Sequence, residues 1–140
     1  MQYKRVLAID YGDVRIGLAQ SDLMQMIASP LDVIPNKSVE ESAKIIANII
    51  ANNDVETVVI GLPLNMDGTE GERAQVTRKF ADILAQCTTA KIVFQDERLS
   101  SVEAEDILIE ANVRREKRKK IIDKVAACLI LESYLSRKER

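Results

Sequence analysis

Three carboxylates stand at positions where acids are costly. Asp10 ends an apolar strand-like run, Glu97 follows another, and Asp123 interrupts an almost wholly apolar helical segment. The chain has no histidine, so these acids are the leading candidates for its chemistry. Carboxylates held close together repel, and burial raises their pKa values unless a cation neutralises them. Magnesium or manganese prefers oxygen ligands and keeps several waters, which suits a few carboxylates plus phosphate oxygens of a substrate. One or two such ions would activate water without histidine, one helping to form the attacking hydroxide and a second stabilising the leaving oxygen of a phosphodiester. The same acids also have a purely structural reading. In it Asp10 closes a turn, Glu97 pairs with Arg98, and Asp123 caps or pairs near Lys119 or Lys120.

To bring these acids together the chain must be folded into a sheet. A strand is expected at Lys4 to Asp10, a tight turn at Tyr11-Gly12-Asp13 and a second strand from Arg15 to about Ser21, together a hairpin. A third extended segment, Ile27 to Ile34, carries Pro30, which suits an edge because proline cannot donate to a ladder. Ser38 and Glu41 form a possible capping box before a helix with apolar residues at Val39, Ala43, Ile46, Ala47 and Ile50. Val55 to Ile60 reads as a strand buried on both faces, followed by a loop from Gly61 to Gly71. Thr69 with Glu72 and Ser100 with Glu103 suggest caps for helices near Glu70 to Gln86 and Ser101 to Ala111. Between them lies a strand at Lys91 to Gln95, and a last helix is expected from about Lys119 to Ser136. Strands and helical segments follow the order βββαβαβα, an α/β fold with a mixed five-stranded sheet flanked by helices. Sites in such sheets gather at the carboxyl ends of strands, where Asp10 and Glu97 both fall. Asp123 shares a helical stripe with Ala126, Ala127 and Ile130, three, four and seven residues on.

Smaller features are read locally. Gly12 and Gly17 are expected to serve a positive-φ turn and a close backbone approach in the hairpin. Asn65 and Asp67 are expected to shape their turn through side-chain to backbone hydrogen bonds. Asp96 either orients Arg98 or caps the following helix, and Arg15 either reaches a phosphate or the site carboxylates, or pairs with Asp13. Cys87 and Cys128 match no metal-binding spacing and are read as two reduced core thiols.

Composition bounds the function. At 140 residues and 46% hydrophobic content, the chain is expected to form one domain over residues 1–140. No apolar run is long enough to span a bilayer, and the N-terminus lacks signal-peptide character, so a soluble cytoplasmic protein is expected. Net charge is −2, yet the run RREKRKK at 114–120 carries +5. An acidic body with one basic segment favours gripping phosphates at one place over binding polyanions across the surface. The plainer reading of that run is a solvated flexible linker. With three tyrosines, two phenylalanines and no tryptophan, backbone and shape recognition is expected rather than a base-stacking platform.

Four segments carry a resemblance: DYGDVRIGLA at 10–19, GLPLNMDGTEGERA at 61–74, DERLSSVEAE at 96–105 and DKVAACLILESYL at 123–135. Together they resemble the bacterial YqgF family, also called RuvX-like, of pre-16S rRNA nucleases with an RNase H-like fold, once proposed as Holliday-junction resolvases. The likeness implies a metal-dependent nuclease that processes the 5′ end of the small-subunit rRNA precursor, with Asp10, Glu97 and Asp123 as catalytic metal ligands. It further implies precursor rRNA, branched DNA or ribosomal particles as partners, for a monomer or homodimer. The basic segment then becomes a flexible cationic strap, in which Lys117, Arg118, Lys119 and Lys120 meet RNA phosphates, alongside Arg15 and Arg98. A related enzyme reading is a Holliday junction resolvase acting on branched DNA, and two readings of other classes stand beside these. The first is a non-catalytic RNA-binding assembly factor. The second is a sugar-kinase-like ATPase, against which the length of one domain argues.

Overall fold

A computed structural model describes residues 4–96 and 115–138, with the side chains of residues 125–137 described in the last helix. Strands β1 (Arg5–Tyr11), β2 (Arg15–Ser21) and β3 (Ala28–Pro35) lead into helix α1 (Val39–Asn52) and strand β4 (Val55–Leu62). Helix α2 (Glu72–Ala85), strand β5 (Lys91–Asp96) and the long helix α3 (Arg115–Lys138) follow. The sheet runs β3-β2-β1-β4-β5. Its β1-β2 and β2-β3 pairs are antiparallel, and its β1-β4 and β4-β5 pairs parallel. The five-stranded mixed sheet and the order βββαβαβα are those expected from the pattern of the chain.

Strand alternation divides the interior into two cores. On one face Leu7, Ile9, Tyr11, Ile16, Leu18, Val58 and Ile60 pack beneath α1 and α2 through Ala43, Ile46, Ile50, Phe80, Ala81 and Leu84. On the other, Val6, Ala8, Ala19 and Val59 meet Ala127, Ile130, Leu131 and Leu135 of α3. Central β1 is therefore apolar on both faces up to its last residues, and the small alanines on the second face admit α3 closely. Pro30 sits on edge strand β3 opposite Ala19, where the β2-β3 register shifts, so its missing N–H breaks no inner ladder.

Local chemistry sets the helix starts. Ser38 Oγ accepts a 3.1 Å hydrogen bond from the Glu41 N–H, as the capping pattern predicts. Four residues on, Ser42 Oγ donates to Asn36 Oδ1 at 2.8 Å, and Asn36 Nδ2 donates to the Gly12 carbonyl at 2.8 Å, fastening the β1-β2 turn to the start of α1. The expected Thr69 cap is not formed. Asp67 Oδ1 takes the Thr69 hydroxyl at 2.6 Å, and α2 begins at Glu72 with Gly71 as its N-cap.

Four other expectations are corrected. Strand β4 continues through Gly61 to Leu62, because Gly61 pairs with Gln95 and Leu62 with Asp96. Gly12 does not adopt a positive φ; a Cβ there would collide with the Arg15 carbonyl oxygen, so close approach is what demands glycine. Cys87 is no core thiol, since it lies exposed just past α2, and Cys128 is half-buried. Helix α3 starts at Arg115, so Lys117 to Lys120 belong to its first turns rather than to a flexible strap. The helix expected at Ser101 to Ala111, and its Ser100 cap, lie outside the described residues.

Phe80 is fully buried and stacks on Tyr11, with ring centroids 4.3 Å apart, which ties α2 to the last turn of β1. Truncation of such a ring costs roughly 3–5 kcal/mol. Phe80→Ala should lower unfolding free energy by about that amount in a urea titration, with an unchanged slope.

Candidate active site

The carboxyl end of β1 sets the geometry. Val6 and Ala8 face α3, and alternation carries Asp10, two residues further, onto that same face. Asp10 is half-buried. Its cross-strand partner on β2 is Gly17. On the other side the pairing Ile9 with Ile60 brings Gly61 to the next rung, and Gly61 in turn pairs with Gln95 on β5. Asp10 is thus flanked by two glycines, which carry no side chain. About two strand spacings, roughly 10 Å, separate Asp10 from Gln95 across this row.

Arg15 joins the same face. It precedes Gly17 by two residues, so its side chain leaves β2 on the α3 side, diagonal to Asp10, within the reach of a long side chain. Asp13, named as its alternative partner, takes the guanidinium of Arg73 from α2. Asp96 belongs to the opposite face. Val93 packs toward α3 and Ile92 toward α1 and α2, which places Asp96 with Ile92. That face does not contain Asp10.

Position 123 lies in α3, four residues before Ala127 and seven before Ile130, both packed on the Asp10 face of the sheet. Its side chain and those of Lys117, Arg118, Lys119 and Lys120 are not among the described ones. Glu97 and Arg98 lie outside the described residues altogether. Among the described residues no three acidic, histidine or cysteine side chains form a metal-binding group. The described part of the site offers the Asp10 carboxylate and an arginine on the same face of the sheet, donor types that suit a hard cation and a phosphate.

Around this edge the loops are firmly built. Asn65 and Thr69 bond through backbone at 2.8 Å and through side chains at 3.0 Å, while Asp67 Oδ1 also accepts the Thr69 N–H at 3.0 Å. Gly68, at φ 88°, turns the chain. Asn65 and Asp67 therefore shape the turn, as expected. Sequence reading missed the next element. Arg78 Nε and Nη2 donate to the two carboxylate oxygens of Glu70 at 2.6 and 2.8 Å, and the same guanidinium lies 4.8 Å from the Phe94 ring centre. Residues eight and sixteen positions apart carry no periodic signal that could have revealed this.

The protein-family model for RuvX, described as Holliday junction resolvase, matches residues 4–137. The chain belongs to this family. Proteins named "Putative pre-16S rRNA nuclease" from Halothermothrix orenii and Carboxydothermus hydrogenoformans are each 48% identical to this RuvX chain. The first match covers 94% of both chains, and the second 97% of this one and 99% of the other. Among solved structures, T. thermophilus RuvC bound to a Holliday junction superposes with a TM-score of 0.59 at 11% identity, covering 97% and 96% of the two chains. Fowlpox virus resolvase with junction DNA gives 0.61 at 11%, covering 97% and 99%. These likenesses show the RNase H-like fold that the motifs implied. The RuvX family is one of nucleases, hydrolases acting on ester bonds. No helix among the described residues of this RuvX chain is long and apolar enough to cross a membrane.

Hydrogen bonding from Arg78 holds the Glu70 carboxyl below the ordinary glutamate value of 4.5. A depressed carboxyl pKa adds stability above the unfolded value, which is lost as pH falls through the folded one. NMR titration should find the Glu70 midpoint below 4.5, and Arg78→Ala should return it toward that value.

Proposed function

We propose that this RuvX protein is a divalent-metal-dependent nuclease that hydrolyses RNA phosphodiesters, trimming the 5′ end of precursor small-subunit rRNA on ribosomal particles in the cytoplasm. The observation that carries the proposal is the position of Asp10. It stands on the α3 face at the carboxyl end of the central strand, between Gly17 and Gly61, with position 123 on the stripe of α3 that packs there. The names of the 48% identical relatives support the RNA substrate.

In this reading Asp10, Glu97 and Asp123 hold one or two Mg²⁺ or Mn²⁺ ions. A hard divalent ion supplies Lewis acidity, lowering the pKa of water and offsetting phosphate charge, work for which the chain has no histidine. Asp10 orients what it binds. Arg15, and Arg98 beside Glu97, take non-bridging phosphate oxygens with geometry that a guanidinium suits better than an ammonium.

The basic run adds grip. Lys117, Arg118, Lys119 and Lys120 fall in the first two turns of α3, where positive side chains oppose the helix dipole. Phosphates bound there relieve that conflict and fix register without reading sequence.

Asp10→Asn should abolish manganese-dependent cleavage of end-labelled precursor rRNA while leaving the metal-free protein folded. A large drop in melting temperature would mark Asp10 as structural. A four-way DNA junction in the same assay separates the substrates, because cutting of the junction alone would replace the RNA reading with a resolvase. Neutralising Lys117, Arg118, Lys119 and Lys120 should weaken RNA binding and flatten its log-log salt dependence by about 0.7 per lost single-strand phosphate contact. Equal slopes for variant and wild type would remove these residues from the interface.

A further inference from the structure

We propose that the end of the molecule opposite Asp10 is a self-association surface, on which the β2-β3 turn of each of two copies of this chain seats in a groove of the other. Antiparallel β2 carries this turn to the end of the sheet where β1 and β4 begin, away from Asp10. The turn, residues 22–27, is built inside out. The Asp22 carboxylate accepts the N–H groups of Met24, Met26 and Ile27 at 3.3, 2.8 and 2.9 Å. Gln25, at φ 57°, donates its side-chain amide to the Lys4 carbonyl at 3.0 Å and to Glu56 Oε1 at 2.5 Å. The polar side chains are thus occupied in holding the backbone, while Leu23, Met24, Met26 and Ile27 stand 39%, 60%, 66% and 66% exposed. A contiguous group of exposed apolar side chains rimmed by polar ones is the mark of an interaction site.

A groove of about 700 Å³ lies at the same end, between the last turn of α1, the start of β4 and the residues that follow α2. Ala47, Ile50, Ala51, Val55 and Ala90 give it an apolar lining, and Cys87 is exposed in it. Lys4 and Glu56 line it too, the same two residues that Gln25 bonds, so knob and groove share a border. Complementary features side by side on one surface are what an isologous two-fold contact needs, each copy giving its turn and receiving its partner's. A turn already rigid before contact has little ordering left to lose, and unbranched methionines adapt to an irregular groove. An apolar patch of this kind measures a few hundred Å². Buried in both directions together with the groove lining, it is of the order of the ~800 Å² per partner that a specific dimer needs. The two Asp10 edges lie at the far ends of such a pair, so neither is covered by the contact.

Sedimentation equilibrium of the full chain over a concentration series should show a reversible monomer-dimer equilibrium. Met24→Ser combined with Met26→Ser should raise the dissociation constant about tenfold or more. Ala51→Lys should do the same from the groove side. Ala51 is exposed and sits in the last turn of α1, which carries no basic residue, so a lysine there favours the helix while filling the groove. Disulfide trapping then identifies the contacting surfaces. In a Cys128→Ser background, Met24→Cys under a mild thiol oxidant should join to Cys87 of a second copy and give a covalent dimer, which further Cys87→Ser should abolish. A wild-type chain that stays monomeric at every concentration overturns the proposal. So does a dimer unaffected by both the turn and the groove variants, or a covalent dimer that survives Cys87→Ser.

Discussion

A polar side chain near the end of a strand buried on both faces has to be kept out of the apolar interior, and the surrounding structure is arranged around that constraint. Asp10 follows Val6 to Ile9, every one of them fully buried, in the central strand of the sheet. Glycine stands at both lateral positions, 17 and 61, so the adjacent strands place no side chain of their own beside it. The cost is two weak points in the interior of strands, since glycine lacks a side chain to pack and has more conformational freedom to lose. The opposite face offsets it: Ile9, Ile16, Leu18, Ile60 and Phe80 are all fully buried there.

The two faces therefore divide the labour. Helices α1 and α2 close the large core and reach upward to hold the loops, through Asn36 and Ser42 on the β1-β2 turn and through Arg73 and Arg78 on that turn and β5. Helix α3 closes the thin second core with alanines, and its leading turns carry the basic run. A rigid floor with a charged rim is well matched to a polyanion whose backbone, rather than base sequence, must be positioned.

Much of this was legible in the sequence because it rests on local rules. The acid ending an apolar strand, Pro30 at an edge, Ser38 at a helix start and the Ala127-Ile130 stripe all follow from burial, missing donors, capping and 3.6-residue spacing. Where reading failed, a distant or competing partner decided. Gly61 looks like the start of a loop by composition, yet pairing with Gln95 draws it into β4. Thr69 fits a capping box, yet the nearer Asp67 carboxylate captures its hydroxyl. The basic run looks like a solvated linker, yet arginine and lysine are good helix formers and the apolar helix behind them propagates forward. Cys87 follows an apolar helix, but α2 ends at Ala85 and leaves it in solvent. The Glu70-Arg78-Phe94 contact joins three elements and exists only once they are folded.

The central claim is that the carboxylate of Asp10 is a metal ligand. Anomalous diffraction from crystals of the protein grown with Mn²⁺ tests it directly, locating the ion without reference to activity or substrate. The account predicts a manganese peak against Asp10 on the α3 face, shared with Asp123 and Glu97. Manganese found only elsewhere, with no peak beside Asp10 at saturating concentration, would contradict it.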